Sequence, residues 1–189
     1  MTMSSRSRVG AGFWLMWIVA NAIGMLGYLL SLVFSSAYRA WGLDVTLIIG
    51  SAIIGTSLGI AQWFVLRWYG YHSIWWILSS TLGWAMGTTI SRLLDPVIGV
   101  GFTSLIGDAS IAIITGVLQT FAIRRWSSHA GWWILVYLIG RIASSGFELF
   151  IGPPAGIIFG TITGLPLIWM LRHPIQQPAQ STPSSGSSV

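Results

Sequence analysis

From Val45 to Leu66 the chain runs 22 residues without a charged side chain. As a helix that run is about 33 Å long, enough to cross a hydrocarbon core about 30 Å thick. In hydrocarbon the backbone N–H and C=O groups must satisfy one another, which restricts a spanning segment to a helix or a closed barrel. Barrel strands would show alternating segments of about ten residues, whereas the apolar runs here are longer and continuous. The 189-residue chain is 7% charged, with a mean hydropathy of +0.77, against about 25% charged residues in a soluble domain.

These runs predict an all-α, six-helix transmembrane bundle in a single domain, 1–172, with helices at about 10–35, 45–66, 73–94, 102–123, 131–151 and 155–171. Residues 173–189 are rich in Pro, Ser and Gln and read as a disordered tail. The first run, Val9 to Phe34, exceeds the ~7–15 apolar residues of a signal peptide, so an uncleaved first helix is expected. Asp44 suits an N-cap for the second helix. Asp95-Pro96 followed by Gly99-Val100-Gly101 predicts a chain break and a loop. Gly152-Pro153-Pro154 is expected to stop the fifth helix.

The chain also repeats itself. Adding 57 to Gly59, Gln62, Phe64, Arg67, His72, Trp75, Trp76, Ile77, Leu78 and Gly83 gives the same residue type each time, ten identities over 25 gapless positions. A weaker match, offset by 105, aligns Ile158, Gly160, Thr161, Gly164, Leu171 and Arg172 with the start of the unit. Trp17, Ile18 and Gly24 echo Trp76, Ile77 and Gly83. The order is then second half, full unit, full unit, first half. Such a chain predicts two full helical hairpins and one circularly split hairpin, with the first helix beside the last. Repeats in one orientation imply a pseudo-symmetry axis along the membrane normal. The small residues Gly55/Gly59, Ala112/Gly116 and Gly160/Gly164 should face neighbouring helices.

All nine basic residues other than His are Arg. Six helices would bring Arg6, Arg8, Arg67, Arg124, Arg125 and Arg172 to one side, leaving Arg39 and Arg92 toward the other. The positive-inside rule then puts both termini in the cytoplasm. Charge dispersed over helix ends argues against a nucleic-acid partner. Ten tryptophans, among them Trp17, Trp76 and Trp133, fall near the Arg-bearing ends and suggest a one-sided aromatic belt.

Few residues can carry chemistry. With no Cys and only three scattered His, neither a metal site nor a cofactor is expected, and no nucleophile–base pair suggests an enzyme. Arg141 falls near mid-bilayer, where a charge costs several kcal/mol unless paired or hydrated. Its repeat partner is Trp84. Glu148, Asp108 and the hydroxyls of Ser144 and Ser145 are its candidate partners, and Arg92, Asp108 and Glu148 come out at a similar depth toward the outer side, completing the cluster. The cluster is read as ion pairs that fix register or as a ligand or ion site. Asn21, Gln62 and Gln119 are expected to make interhelical hydrogen bonds. His72 and His129 occupy equivalent turns and read as interfacial residues.

The unit Gly-x-x-Gln-x-x-x-x-Arg, followed by Trp-Trp-x-x-x-x-x-x-Gly-Trp (Gly59 to Trp84), resembles that of an uncharacterised family of small bacterial polytopic membrane proteins that carry it twice. The resemblance covers about residues 50–150 and implies an inner-membrane location and no particular activity. The second unit departs from the pattern, with Arg141 in place of the Trp. The expectation is a non-enzymatic scaffold or accessory subunit, whose partners are the lipid bilayer and another membrane-protein subunit or further copies of itself. The alternative is a small-molecule or ion transporter using the Arg141 cluster.

Overall fold

A computed structural model describes residues 9–38, 42–98, 100–145 and 153–174; for residues 36, 38, 100, 101 and 103 the description is of the backbone alone. Among the described residues there is no strand. The helices are α1 (Ala11–Gly24), α2 (Gly27–Tyr38), α3 (Leu43–Trp68), α4 (Trp75–Ile98), α5 (Val100–Ile123), α6 (Trp132–Ser145) and α7 (Pro153–Arg172). The spans Ala11–Ser35, Leu43–Trp68, Ser104–Ile123 and Pro153–Arg172 are long and apolar enough to cross a membrane. Within the described residues α6 covers 14 residues, about 21 Å of helix. α4 carries Arg92 and Asp95 near its end.

Three local expectations are corrected. Asp44 is not the N-cap: α3 starts at Leu43, after Gly42 at φ 98°, a conformation that favours glycine. Asp95-Pro96 does not break the chain, because α4 continues to Ile98. A proline there removes one backbone hydrogen bond in the final turn, and the short remainder of the helix tolerates it. α5 is described from Val100, so Val100 and Gly101 are helical rather than loop, and Gly99 lies outside the described residues. Pro153 and Pro154 start α7, two residues before the expected Ala155, while the stop of the preceding helix falls on residues outside those described; first-turn N–H groups have no intrahelical acceptor, so proline loses nothing there.

Each helix packs on the next in chain order, except across the short α1–α2 break. α1 also packs on α3, and α7 closes against α1 as well as α6. Glycines set the spacing. A Cβ on Gly87 would come within 2.5 Å of the Ile111 backbone nitrogen, and one on Gly156 within 2.4 Å of the Asn21 carbonyl oxygen. Gly24 and Gly27 flank the break between α1 and α2 and press on Leu58 and Ser57 of α3. Without a hydrophobic drive between helices in lipid, such close approach supplies the contact on which association depends.

Two cores result. The larger, toward the Arg67, Arg124 and Arg172 ends, includes Phe13, Trp17, Trp76, Trp133, Tyr137 and Leu167. The smaller includes Met25, Ile54, Leu58, Trp84, Ile111 and Ala155. Trp17, Trp76 and Trp133 are fully buried, whereas Trp68, Trp132 and Trp169 are exposed. The aromatic belt therefore loses three members to the interior.

Candidate functional site

The buried tryptophans meet in the middle of the bundle. Ring centroids lie 6.1 Å apart for Trp17–Trp76, 6.5 Å for Trp17–Trp133 and 5.8 Å for Trp76–Trp133, within the range of favourable aromatic pairs. Each indole N–H is satisfied. Trp76 donates to Gln62 Oε1 and Trp133 to Gln119 Oε1, both at 2.8 Å, and Trp17 donates to Thr163 Oγ1 at 3.0 Å. The amide nitrogens reach onward, Gln62 to Asn21 Oδ1 at 2.8 Å and Gln119 to Ser80 Oγ at 3.0 Å. Asn21 in turn donates to the Trp17 carbonyl at 2.7 Å. Asn21, Gln62 and Gln119 thus all join helices through one aromatic centre, with no exposed surface.

Toward the other end of the bundle lies a cavity of about 530 Å³, part apolar and part hydroxyl-lined by residues such as Ser31, Ser51, Thr88 and Ser104, reaching Asp108, Trp84 and Arg141. Arg141 Nη2 donates to Asp108 Oδ1 at 2.6 Å, and the guanidinium sits 4.5 Å from the Trp84 ring centroid. Arg141 is only 4% exposed. A guanidinium on an indole face is a favourable cation–π geometry, so Trp84 on α4 and Arg141 on α6 are in contact across the bundle.

The expected cluster forms only in part. Arg141 and Asp108 come together. Arg92 does not join them: its Nε donates to Asp44 Oδ1 at 2.8 Å and its Nη1 pairs with Asp95, which ties the end of α4 to the start of α3. The reason is azimuth: depth along a helix does not say which neighbour a side chain faces. Glu148 lies outside the described residues, as do Arg6, Arg8 and Arg39. Ser144 Oγ donates to the Arg141 carbonyl, 3.0 Å away, and Ser145 Oγ to that of Ile142 at 2.9 Å. His129 lies beside Trp169 and His173, with ring centroids 4.7 and 5.9 Å away. Among the described residues no group of three or more His, Cys, Asp or Glu is placed to hold a metal.

Sequence reasoning missed Tyr137, which is fully buried and packs on Trp133 and Phe159. Its signal was its place one turn after Trp133, where the first unit has Ser80 one turn after Trp76. Comparison with known proteins finds no matching family profile, curated protein or solved structure.

Proposed function

We propose that this chain is a polytopic protein of the bacterial inner membrane, with both termini cytoplasmic, that serves as a non-enzymatic scaffold or accessory subunit of a membrane complex. The observation that carries the reading is the aromatic centre. Trp17, Trp76 and Trp133 fill the middle of the bundle with their polar atoms hydrogen-bonded to side chains. The cavity at Arg141 therefore ends against packed core instead of continuing to the Arg-bearing face. A sealed interior suits a protein that works through its outer surface. That surface includes an apolar groove of about 410 Å³ between α1 and α3, lined by residues such as Leu15, Val19, Ile23 and Phe64.

The same proposal includes six crossings and three hairpins about a pseudo-threefold axis along the membrane normal. In support, Gly59 faces Ile77 and Gly116 faces Ile134 with the same 3.0 Å approach. In the split hairpin Gly160, not Gly164, approaches the equivalent Ile18. The acceptor for Trp17 is Thr163, four residues before Leu167, the counterpart of Gln62. Both departures equal one helical turn, so a single register shift of α7 accounts for them.

A transporter is the second reading, favoured by the hydroxyl-lined cavity that leads to the Arg141–Asp108 pair. It requires the aromatic centre to part during the cycle. The test is purification from the native membrane in mild detergent, with mass spectrometry and an absorption spectrum of what accompanies the protein. A stoichiometric membrane-protein partner supports the accessory subunit. A protein that comes alone, and whose reconstituted vesicles show solute flux abolished by Arg141→Gln, overturns it in favour of transport.

A further inference from the structure

Below the Arg141–Asp108 pair, a second, much smaller cavity is lined by Met25, Leu58, Trp84, Tyr137, Ser144 and Phe159, among others. The centre of a water-sized sphere has about 10 Å³ in which to move there, close to the minimum that holds one water. Around it the hydrogen bonding is incomplete. Trp84 Nε1, Tyr137 Oη and Thr115 Oγ1 are all buried without a hydrogen-bond partner. The Tyr137 hydroxyl lies within reach of Trp84 and Thr115 for a long, weak contact, but neither closes to full hydrogen-bond geometry.

Such groups are rare in a folded protein, where nine in ten or more buried polar atoms are paired. Here three occur together. The other buried indoles, Trp17, Trp76 and Trp133, each have an acceptor within 3.0 Å. Trp84 cannot turn to find one. The guanidinium lies on its ring face, and its Cβ is packed so tightly on Gly55 that a Cβ added there would be 2.9 Å away.

We propose that this cavity is a binding site for a single water molecule. The water accepts from the Trp84 indole N–H and bonds the Tyr137 hydroxyl. Two or three partners of mixed donor and acceptor character are what a buried water takes. Trp84 and Arg141 line both this site and the large cavity, so they form the partition through which the water enters. Because donors predominate and a guanidinium is adjacent, a small anion such as a halide is the competing occupant. The guanidinium is already paired with Asp108, and an uncompensated buried anion is costly, which favours water. The site stands whether the protein is a scaffold or a transporter.

The test is a structure of the full chain in lipid at about 2 Å or better, together with a crystal soaked in bromide. The expected result is one density peak about 2.7–3.2 Å from both Trp84 Nε1 and Tyr137 Oη, without bromide anomalous signal. It should be lost in Tyr137→Phe, which removes only the hydroxyl. An anomalous peak in the cavity would overturn the assignment to water. So would an empty cavity in which Tyr137 bonds Trp84 or Thr115 directly. Should Tyr137→Phe fail to fold, the wild-type map and the bromide soak decide the matter alone.

Discussion

Gln62 accepts the indole N–H of Trp76 at 2.8 Å across the α3–α4 hairpin, and its own amide nitrogen donates to Asn21 on α1. One side chain thus holds three helices together. Gln62→Leu keeps a similar volume but leaves the Trp76 indole N–H and the Asn21 side-chain Oδ1 buried without these partners. Interhelical hydrogen bonds in membranes average about 0.6 kcal/mol and reach about 1.7, and stranded buried groups add to that. A loss of about 1–3 kcal/mol is expected, read as a lower unfolding midpoint in detergent. In a double-mutant cycle with Trp76→Phe, the pair should couple favourably. Additive effects would mean that the bond contributes nothing.

Glycine contacts separate sites that tolerate a methyl group from sites that do not. A Cβ on Gly87 would meet the Ile111 backbone at 2.5 and 2.7 Å, while one on Gly50 meets only the Ser31 side chain, at 3.5 Å. Backbone atoms cannot rotate away, so Gly87→Ala must push α4 from α5. The expected cost is about 1–3 kcal/mol, the usual range for overpacking. Gly50→Ala should stay within about 0.5 kcal/mol of the parent. Comparable unfolding midpoints for the two variants would show that α4 and α5 are not so closely packed.

Long uncharged runs made the helices legible in the sequence, and the matching Gln and Trp residues marked where they would meet. Three things were hidden, each for a physical reason. An indole near a basic helix end serves equally well in a headgroup belt or facing inward, so Trp17, Trp76 and Trp133 read as surface residues. Pro96 looked like a breaker because sequence does not say how few residues of helix follow it. Arg92 and Asp108 come out at similar depths from 1.5 Å per residue. Only the rotation of α4 turns Arg92 toward Asp44, while α6 turns Arg141 toward Asp108.

The Arg141–Asp108 pair predicts a pattern rather than a single number. Both side chains are largely buried, 5% and 16% exposed. Removing one partner strands the other charge and costs about 3–5 kcal/mol. Arg141→Gln and Asp108→Asn should therefore each accumulate poorly in the membrane. The double variant removes both charges together and should recover most of the loss. Quantifying folded protein by fluorescence-detected size exclusion distinguishes the outcomes. If Arg141→Gln alone accumulates like the parent, the pair is not structural, and a ligand role gains weight.

The chain contains no cysteine, so an introduced thiol is the only one a probe can find. Ser51 and Ser104 line the large cavity, whereas Ser79 is fully buried on the same helix as Trp76. In intact cells, with both termini cytoplasmic as proposed, Ser51→Cys and Ser104→Cys should react with a membrane-impermeant maleimide. Ser79→Cys should stay unlabelled until the protein is denatured. In inverted vesicles the preference reverses: the cavity positions become protected because the aromatic centre separates them from the Arg-bearing face. Labelling of Ser51→Cys from both sides would mean that the centre opens, and the transporter reading would then replace the scaffold. Labelling only in inverted vesicles would keep the sealed centre and reverse the assigned orientation.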